Sequence, residues 1–477
     1  MSSTKPQQIR LIRNLSVWDA IVMSAAFMGP AVSMYFNTTY AAGFAGAAMP
    51  FAFLVSLFAA LILANTIGEF SKIAPSAGAF YTFSVKGFGP RTGFITGWLM
   101  FLGYSVLEPA ELALIGITVS DLLHSYLNLN IHWLIISLLA WALVLYVSYI
   151  GAKQSMKVSL YLFLAEVLVM VVLCIIVMAK GGFNGIHFTV FNPSLSPAGF
   201  SGIALGMIYG MLSFVGFESA TTLAEEVRNP RKDVYRALMG STLLVGLIYL
   251  FSTFTLVNGF GLDNMAQLAS DVSPFVTIAT NFGGPIFVLL IALAGISSIL
   301  AVSINVHNAI ARVVYVMGRE KIISAALAKV HPKYHTPVNA VLAQGILSLV
   351  LMLIMGMAVG PSNTYGYLGA LLTLGIIPVY MLAAFGFVRY QKRQGNLRQH
   401  PIRYGFLPIF AALIMLVPLI GSLYPVPPAP YSYLPYIVLI YLAAGYFVIR
   451  RLAQDPRRLE QVGMILSEAD QGAEESV

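Results

Sequence analysis

Apolar residues run along this chain in blocks of twenty or more, separated by short polar connections. No Asp, Glu, Lys or Arg occurs between Lys333 and Arg389, and none between Arg403 and Arg450. One bilayer crossing takes ~20 apolar residues, so each gap is long enough for two helices. Each also carries a turn in its middle, Gly360-Pro361-Ser362-Asn363 in the first and the run from Tyr424 to Pro430 in the second. Stretches rich in Pro and Gly end helices, so both gaps predict helical hairpins. The same pattern along the chain predicts twelve spans, near 16–42, 48–70, 91–118, 131–150, 155–179, 201–228, 234–258, 285–315, 337–357, 364–388, 404–423 and 431–449.

Composition turns this pattern into a fold class. Of 477 residues, 58% are hydrophobic and 10% charged, whereas soluble domains carry about 25% charged residues. A transmembrane β-barrel alternates apolar and polar residues within short strands, unlike these blocks. The expectation is an all-α polytopic membrane protein. The net charge of +8 would suggest nucleic acid in a soluble protein, but the cations have a topological pattern. With twelve spans, 26 of the 27 Lys and Arg residues fall on one side, and only Lys180 lies opposite. Cationic loops stay in the cytoplasm, which places both termini there, makes the inner membrane the expected location and leaves no role for nucleic acid. The N-terminus shows no cleavable signal peptide, because its first apolar stretch is too long for one. The tail 450–477 reads as a polar cytoplasmic end, and 1–15 as its N-terminal counterpart.

Two spans contain helix-breaking residues at mid-depth. Span 1 carries Ala26, Met28, Gly29, Pro30 and Ala31; span 6 carries Phe214, Gly216, Phe217 and Glu218. Proline lacks an amide hydrogen and clashes with the preceding turn, and glycine weakens a helix. Spans 1–5 (16–179) and 6–10 (201–388) form two five-helix sets, and an odd number of crossings inverts the second set relative to the first. Matching interruptions in inverted halves point to a transporter's central site, because unwound backbone at membrane depth is tolerated only where it lines a cavity or protein. A plain kink is the other reading of Gly29-Pro30 taken alone. Spans 11 and 12 (404–449) stand outside the repeat.

Intramembrane carboxylates are costly and are by default functional. Four fall within spans: Glu108, Glu111, Glu166 and Glu218. Glu108 lies roughly 25 Å from Arg91 along its helix at ~1.5 Å per residue, a depth that suits a counter-ion for a cationic substrate. Glu111 reads as structural or interfacial. Glu166, with no neighbouring cation in sequence, is the first candidate for proton coupling. Glu218 is the second, with satisfaction of amides freed by the break as its alternative. Asp19 and Glu69 lie at cytoplasmic helix ends, where gating ion pairs and simple solvation both fit. The seven histidines fall mostly at ends or in loops without ligand spacing, and Cys174 is single and in an apolar run, so no metal is assigned and no disulfide is possible within the chain. No phosphate-binding loop and no nucleophile–base pair occurs; neither an enzyme nor a cofactor is expected. No cysteine in an outer loop could tether a partner subunit, so an obligate partner is not expected either.

The string Phe214-Val215-Gly216-Phe217-Glu218, followed by Glu225-Glu226-Val227-Arg228-Asn229-Pro230-Arg231-Lys232, resembles a hallmark of the amino acid–polyamine–organocation superfamily. Glu69 with Pro75 to Tyr81 and Gly97-Trp98, Gly151-Ala152-Lys153, Asn308 to Arg312, Gly318-Arg319-Glu320 and Thr336-Pro337 are similar to the same family. Together they cover spans 1 to 9. The resemblance implies the leucine-transporter fold, a 5+5 inverted repeat plus two peripheral helices, and secondary transport of an amino acid or related amine by alternating access. It implies that span 1 amides near Met28 to Ala31 hold a substrate carboxylate and that span 6 carbonyls from Phe214 to Phe217 take its ammonium group, with Phe217 as a candidate aromatic gate.

The departures bear on the substrate. Gly29-Pro30-Ala31 stands where the family has Gly-Ser-Gly, so one amide donor is gone and bulk is added; an amine without a carboxylate becomes the alternative substrate. Leu212 stands where some members have Trp, and Tyr235 where a proline is common. Glu166 stands where sodium-independent relatives place a lysine that reaches the span 1 break. Ser297-Ser298 resembles the hydroxyl pair of sodium sites in this fold, so both H+ and Na+ remain candidate coupling ions. Packing is the other reading of two small residues in a membrane helix.

Overall fold

The computed structural model describes residues 15–74, 79–150, 152–224, 227–319, 323–334, 336–424, 426–427, 429–452 and 454. Pro75 to Gly78, Gly151, Glu225-Glu226, Glu320, the first fourteen residues and the end of the tail lie outside them. Among the described residues the regular elements are all helices, joined by short turns and loops. An isolated bridge pairs Leu15 with Val227 and ties the start of the first helix to the end of the sixth predicted span.

A capping box opens α1 (Val17–Phe27): the Ser16 hydroxyl accepts from the Asp19 amide at 3.2 Å, and the Asp19 carboxylate accepts from the Ser16 amide at 2.8 Å. Asp19 thus has a local role, satisfying amides that a helix start leaves unpaired. After an interruption come α2 (Pro30–Val32), a π-helical turn at Ser33–Asn37, and α3 (Thr38–Ala45). Gly46, at φ +58°, turns the chain into α4 (Met49–Ile73). Then follow α5 (Ala79–Phe88), α6 (Pro90–Leu127), α7 (Trp133–Ile150) and α8 (Ala152–Ala179). The second half contains α9 (Gly199–Phe214), α10 (Ser219–Thr222), α11 (Pro230–Phe260), α12 (Met265–Ser270), α13 (Pro274–Ile278), α14 (Pro285–Arg319), α15 (Val338–Val359) and α16 (Pro361–Arg393). α17 (Leu407–Ile414), α18 (Leu416–Gly421) and α19 (Leu434–Leu452) close the chain.

Among the described residues, ten helical runs are long and apolar enough to cross a membrane. The first, Val17–Ile73, is 57 residues long. At ~1.5 Å per residue it far exceeds one ~30 Å hydrocarbon core, and Gly46 divides it. α6, 38 residues long, is not among the ten.

Burial separates inner from outer helices. The apolar window of Gly199–Thr221 is 83% buried, against 22% for Trp133–Ile150. α11 packs along α4 and α1, α16 along α6 and α5, and α14 along α6 and α8, enclosing α1–α3 and α9–α10. On the outside, α7 exposes Ile135, Leu139, Leu143 and Tyr146, and α15 exposes Ile346, Val350 and Ile354. These lie at three- and four-residue spacing, which is one helix face. Apolar faces of this extent on a soluble surface would mark a binding site; on helices this hydrophobic they are the lipid-facing surface. α19 lies at the periphery, where Trp98 Nε1 donates to the Tyr441 carbonyl at 2.9 Å.

Candidate functional site

Both predicted breaks are present, and they face each other across the middle of the helix bundle. At the first, Gly29 adopts φ +53° between α1 and α2. A side chain there would be strained by the left-handed backbone and would also lie 2.3 Å from Val302 Cγ2 on α14. At the second, α9 ends at Phe214, Val215 turns extended and Gly216 reaches φ +105°. A Cβ at Gly216 would lie 2.3 Å from Phe27 Cδ1. The last ring of α1 therefore occupies the space that Gly216 leaves open.

Most amides at the Gly29 interruption are already engaged. Met28 and Gly29 donate to the carbonyls of Ala25 (3.2 Å) and Ala26 (3.3 Å). Pro30 has no donor. The Ala31 amide faces the Glu166 carboxylate from α8. Val32 donates to Ser298 Oγ at 3.2 Å, and Ser33 donates to the Gly29 carbonyl at 2.9 Å. Glu166 itself is buried beside the Ala31 amide and the Ser298 hydroxyl. Its Oε2 has no hydrogen-bond partner among the described residues. Ser297 turns away, donating to the Ala294 carbonyl of its own helix at 2.9 Å, so only one of the two serines meets the break.

Glu218 follows the second break and is fully engaged. Tyr104 on α6 donates to its Oε1. Tyr380 on α16 and the Gly216 amide donate to its Oε2, each at 3.1 Å. The carboxylate thus satisfies an amide freed by the break. The Phe217 ring packs against Tyr380 at 5.6 Å, and the Phe217 carbonyl accepts from Ser24 Oγ at 2.8 Å. Phe27 meets Tyr104 edge-on at 6.4 Å. Phe214, Ala26 and Met28 are buried around the same point.

Tyr249 on α11 joins the two breaks. Its hydroxyl lies 2.7 Å from the Ser213 carbonyl and 3.0 Å from the Met28 carbonyl, which also accepts from Ser33 Oγ at 3.0 Å. Removing that hydroxyl takes the donor from the buried Ser213 carbonyl, while Met28 keeps its bond from Ser33; a buried acceptor left unpaired costs about 1–3 kcal/mol. Tyr249→Phe is therefore expected to lower the thermal unfolding temperature. An unchanged transition would show that the hydroxyl does not hold the breaks together.

Glu108 is placed elsewhere, against His307 and Gln344. Glu111 is buried on the same helix, near Tyr365. At the C-terminal end of α4, Glu69 Oε1 accepts from Lys72 Nζ at 2.6 Å and from Arg403 Nη2 at 2.5 Å. Lys72 Nζ lies 3.7 Å above the Tyr235 ring, which gives the tyrosine a role that a proline there could not fill. Tyr104, Tyr249, Tyr380 and His307 were not singled out from sequence. Their signal is a polar atom inside an apolar run, which at membrane depth requires a partner.

A bundle with two broken helices at its centre and carboxylates at both breaks is the architecture of a membrane transporter. The Amino acid permease family model matches residues 20–455, and the chain belongs to that family, whose members are transporters and not enzymes. It is similar to the low-affinity putrescine importer PlaP of Escherichia coli K12, at 25% identity over 85% of this chain and 88% of that protein. The branched-chain amino acid permease BcaP of Bacillus subtilis is also 25% identical, over 81% and 83%. The serine/threonine exchanger SteT of Bacillus subtilis is 26% identical, over 83% and 86%.

Proposed function

We propose that this chain is a secondary transporter of the cytoplasmic membrane, moving a small amine-bearing solute by alternating access around the two breaks, with the proton as coupling ion. The twelve crossings read from the sequence would put 26 of 27 cations and both termini on the cytoplasmic side by the positive-inside rule, which favours this reading. Two five-helix sets, 16–179 and 201–388, would move against each other, with 404–449 peripheral.

The observation that carries the substrate class is the surroundings of Glu166. Every amide from Met28 to Ser33 either faces an acceptor or, at Pro30, is absent. A substrate carboxylate brought there would meet a carboxylate in place of a free donor. An ammonium group would instead find Glu166 Oε2, which has no partner among the described residues, and Glu218 adds a second acid whose partners among the described residues include no cation. This favours an amine without a carboxylate, the class that the putrescine importer's name indicates. An α-amino acid is the second reading, favoured by the family and by relatives named for branched-chain amino acids and for serine and threonine.

In this account Glu166 exchanges its proton for the substrate's ammonium group or for Na+, Ser298 being the neighbouring hydroxyl ligand. The test is uptake of labelled putrescine into proteoliposomes under an imposed inward proton gradient, with unlabelled amines and amino acids as competitors. Wild-type uptake is expected to rise with the gradient, and Glu166→Gln to lose that response about tenfold or more. A full gradient response in Glu166→Gln removes the residue's coupling role. A response to Na+ alone makes sodium the coupling ion. Competition by α-carboxylates only would select the amino acid reading.

A further inference from the structure

Away from the breaks, a second polar cluster is sealed inside the bundle. Glu108 on α6, His307 on α14, and Gln344 and Ser348 on α15 have relative exposures of 0%, 0%, 2% and 0%. His307 Nδ1 lies 2.8 Å from Glu108 Oε1. Gln344 Nε2 donates to Glu108 Oε2 at 2.8 Å and to Ser348 Oγ at 2.9 Å. His307 Nε2 and Gln344 Oε1 have no hydrogen-bond partner among the described residues.

The charge count makes this more than a staple. With a neutral imidazole the pair carries one negative charge in an apolar surround, which is costly. With one further proton it is neutral overall. α7 and α15 pack on both α6 and α14, yet neither contains Asp, Glu, Lys, Arg or His. Along α6 the neighbouring ionisable groups are Tyr104, which faces Glu218, and Glu111, near Tyr365. On α14, Arg312 lies five residues beyond His307. α8 also packs on α14; its Glu166 stands at Ser298, nine residues before His307 and ~13 Å along the helix. No Lys or Arg is paired with Glu108 among the described residues.

Glu108 also shares a helix face with Tyr104, four residues earlier and ~6 Å along α6. Tyr104 holds Glu218 at the second break. One turn of α6 therefore touches the solute site while the next touches the His307 pair, and α14 and α15 belong to the opposite half of the chain.

We propose that Glu108 and His307 form a second proton-binding site, separate from Glu166. One proton enters from water and is held by the carboxylate–imidazole pair, and its occupancy sets how firmly α6 is clamped to α14 and α15. On release, the same proton returns to water and no other bond changes. The proton site does not depend on the identity of the transported solute; its consequence for transport rests on the function proposed above.

The test uses full-length protein labelled with 15N-histidine in nanodiscs. His307 signals are assigned by their loss in His307→Gln or, should that variant misfold, by their shift in Glu108→Gln. In wild type the His307 imidazole signals are expected to change between unprotonated and protonated or proton-sharing forms between pH 9 and 5. In Glu108→Gln they should keep the neutral form across that range. A wild-type His307 signal that stays in one form from pH 9 to 5 overturns the proposal. In proteoliposomes, His307→Gln is expected to flatten the pH profile of putrescine uptake at least tenfold, and an unchanged profile with a titrating His307 overturns the link to transport. If wild-type liposomes accumulate neither amines nor amino acids, the transport function fails, while the NMR titration still decides the proton site.

Discussion

Gly216→Ala is expected to reduce uptake about a hundredfold and to lower the unfolding temperature clearly. Two costs combine at this position. The backbone sits at φ +105°, where a residue with a Cβ is strained by about 1–2 kcal/mol. The added Cβ would also stand 2.3 Å from Phe27 Cδ1, an overpacking that costs about 1–3 kcal/mol. Phe27 cannot absorb the shift alone, because its ring meets Tyr104, which holds Glu218. A displacement there moves the site itself, and misplacement of about 1 Å is enough for a hundredfold loss. Gly395 provides the comparison: it has φ +76° with nothing within 4 Å of its would-be Cβ. Gly395→Ala should show the backbone cost alone and keep its uptake. Equal behaviour of the two variants would remove the packing between Phe27 and Gly216 from the mechanism.

Glu218 gives the second large effect, and two replacements separate its two roles. Glu218→Leu strips the acceptor from Tyr104, Tyr380 and the Gly216 amide. Each buried donor left unpaired costs about 1–3 kcal/mol, a large share of a typical stability of about 5–15 kcal/mol, so this variant is expected to be poorly folded. Glu218→Gln keeps one oxygen for the Tyr380 and Gly216 donors, and the Tyr104 hydroxyl can turn to accept from the new amide. It should fold, yet bind an ammonium-bearing solute about 10- to 100-fold more weakly, since a hydrogen bond to a charged group contributes about 1.5–3 kcal/mol. Thermal unfolding and amine binding on both variants check this. Wild-type binding by Glu218→Gln would leave the residue with a purely structural role.

The backbone features of the site were legible in the sequence because glycine and proline act locally. Gly29-Pro30 and Gly216 mark interruptions wherever they stand in an apolar run, and Gly360-Pro361 marks the turn between α15 and α16. The position of Glu166 beside the span 1 break came from the family resemblance, since spacing within α8 says nothing about which helix it faces. Short elements were not legible. α5, α12, α13 and the π-helical turn at Ser33–Asn37 are too brief to show a hydrophobic period. Side-chain direction was the other blind spot. Glu108 has the depth of a substrate counter-ion, but it points to α14 and α15, and His307 lies within α14 with no sequence neighbour to announce a partner. Tyr104 and Tyr380 belong to different halves of the chain, and only folding brings both to Glu218.

The most direct measurement is a thermal-shift screen of the purified protein against diamines, amino alcohols and α-amino acids, run on wild type, Glu166→Gln and Glu218→Gln. A ligand that binds only the folded form at a hundred times its dissociation constant adds about 2.7 kcal/mol of stability, a shift easily read. The account predicts stabilisation of wild type by amines lacking a carboxylate, with much smaller shifts in both variants. Undiminished amine shifts in both variants would contradict the placement of the solute at the two breaks.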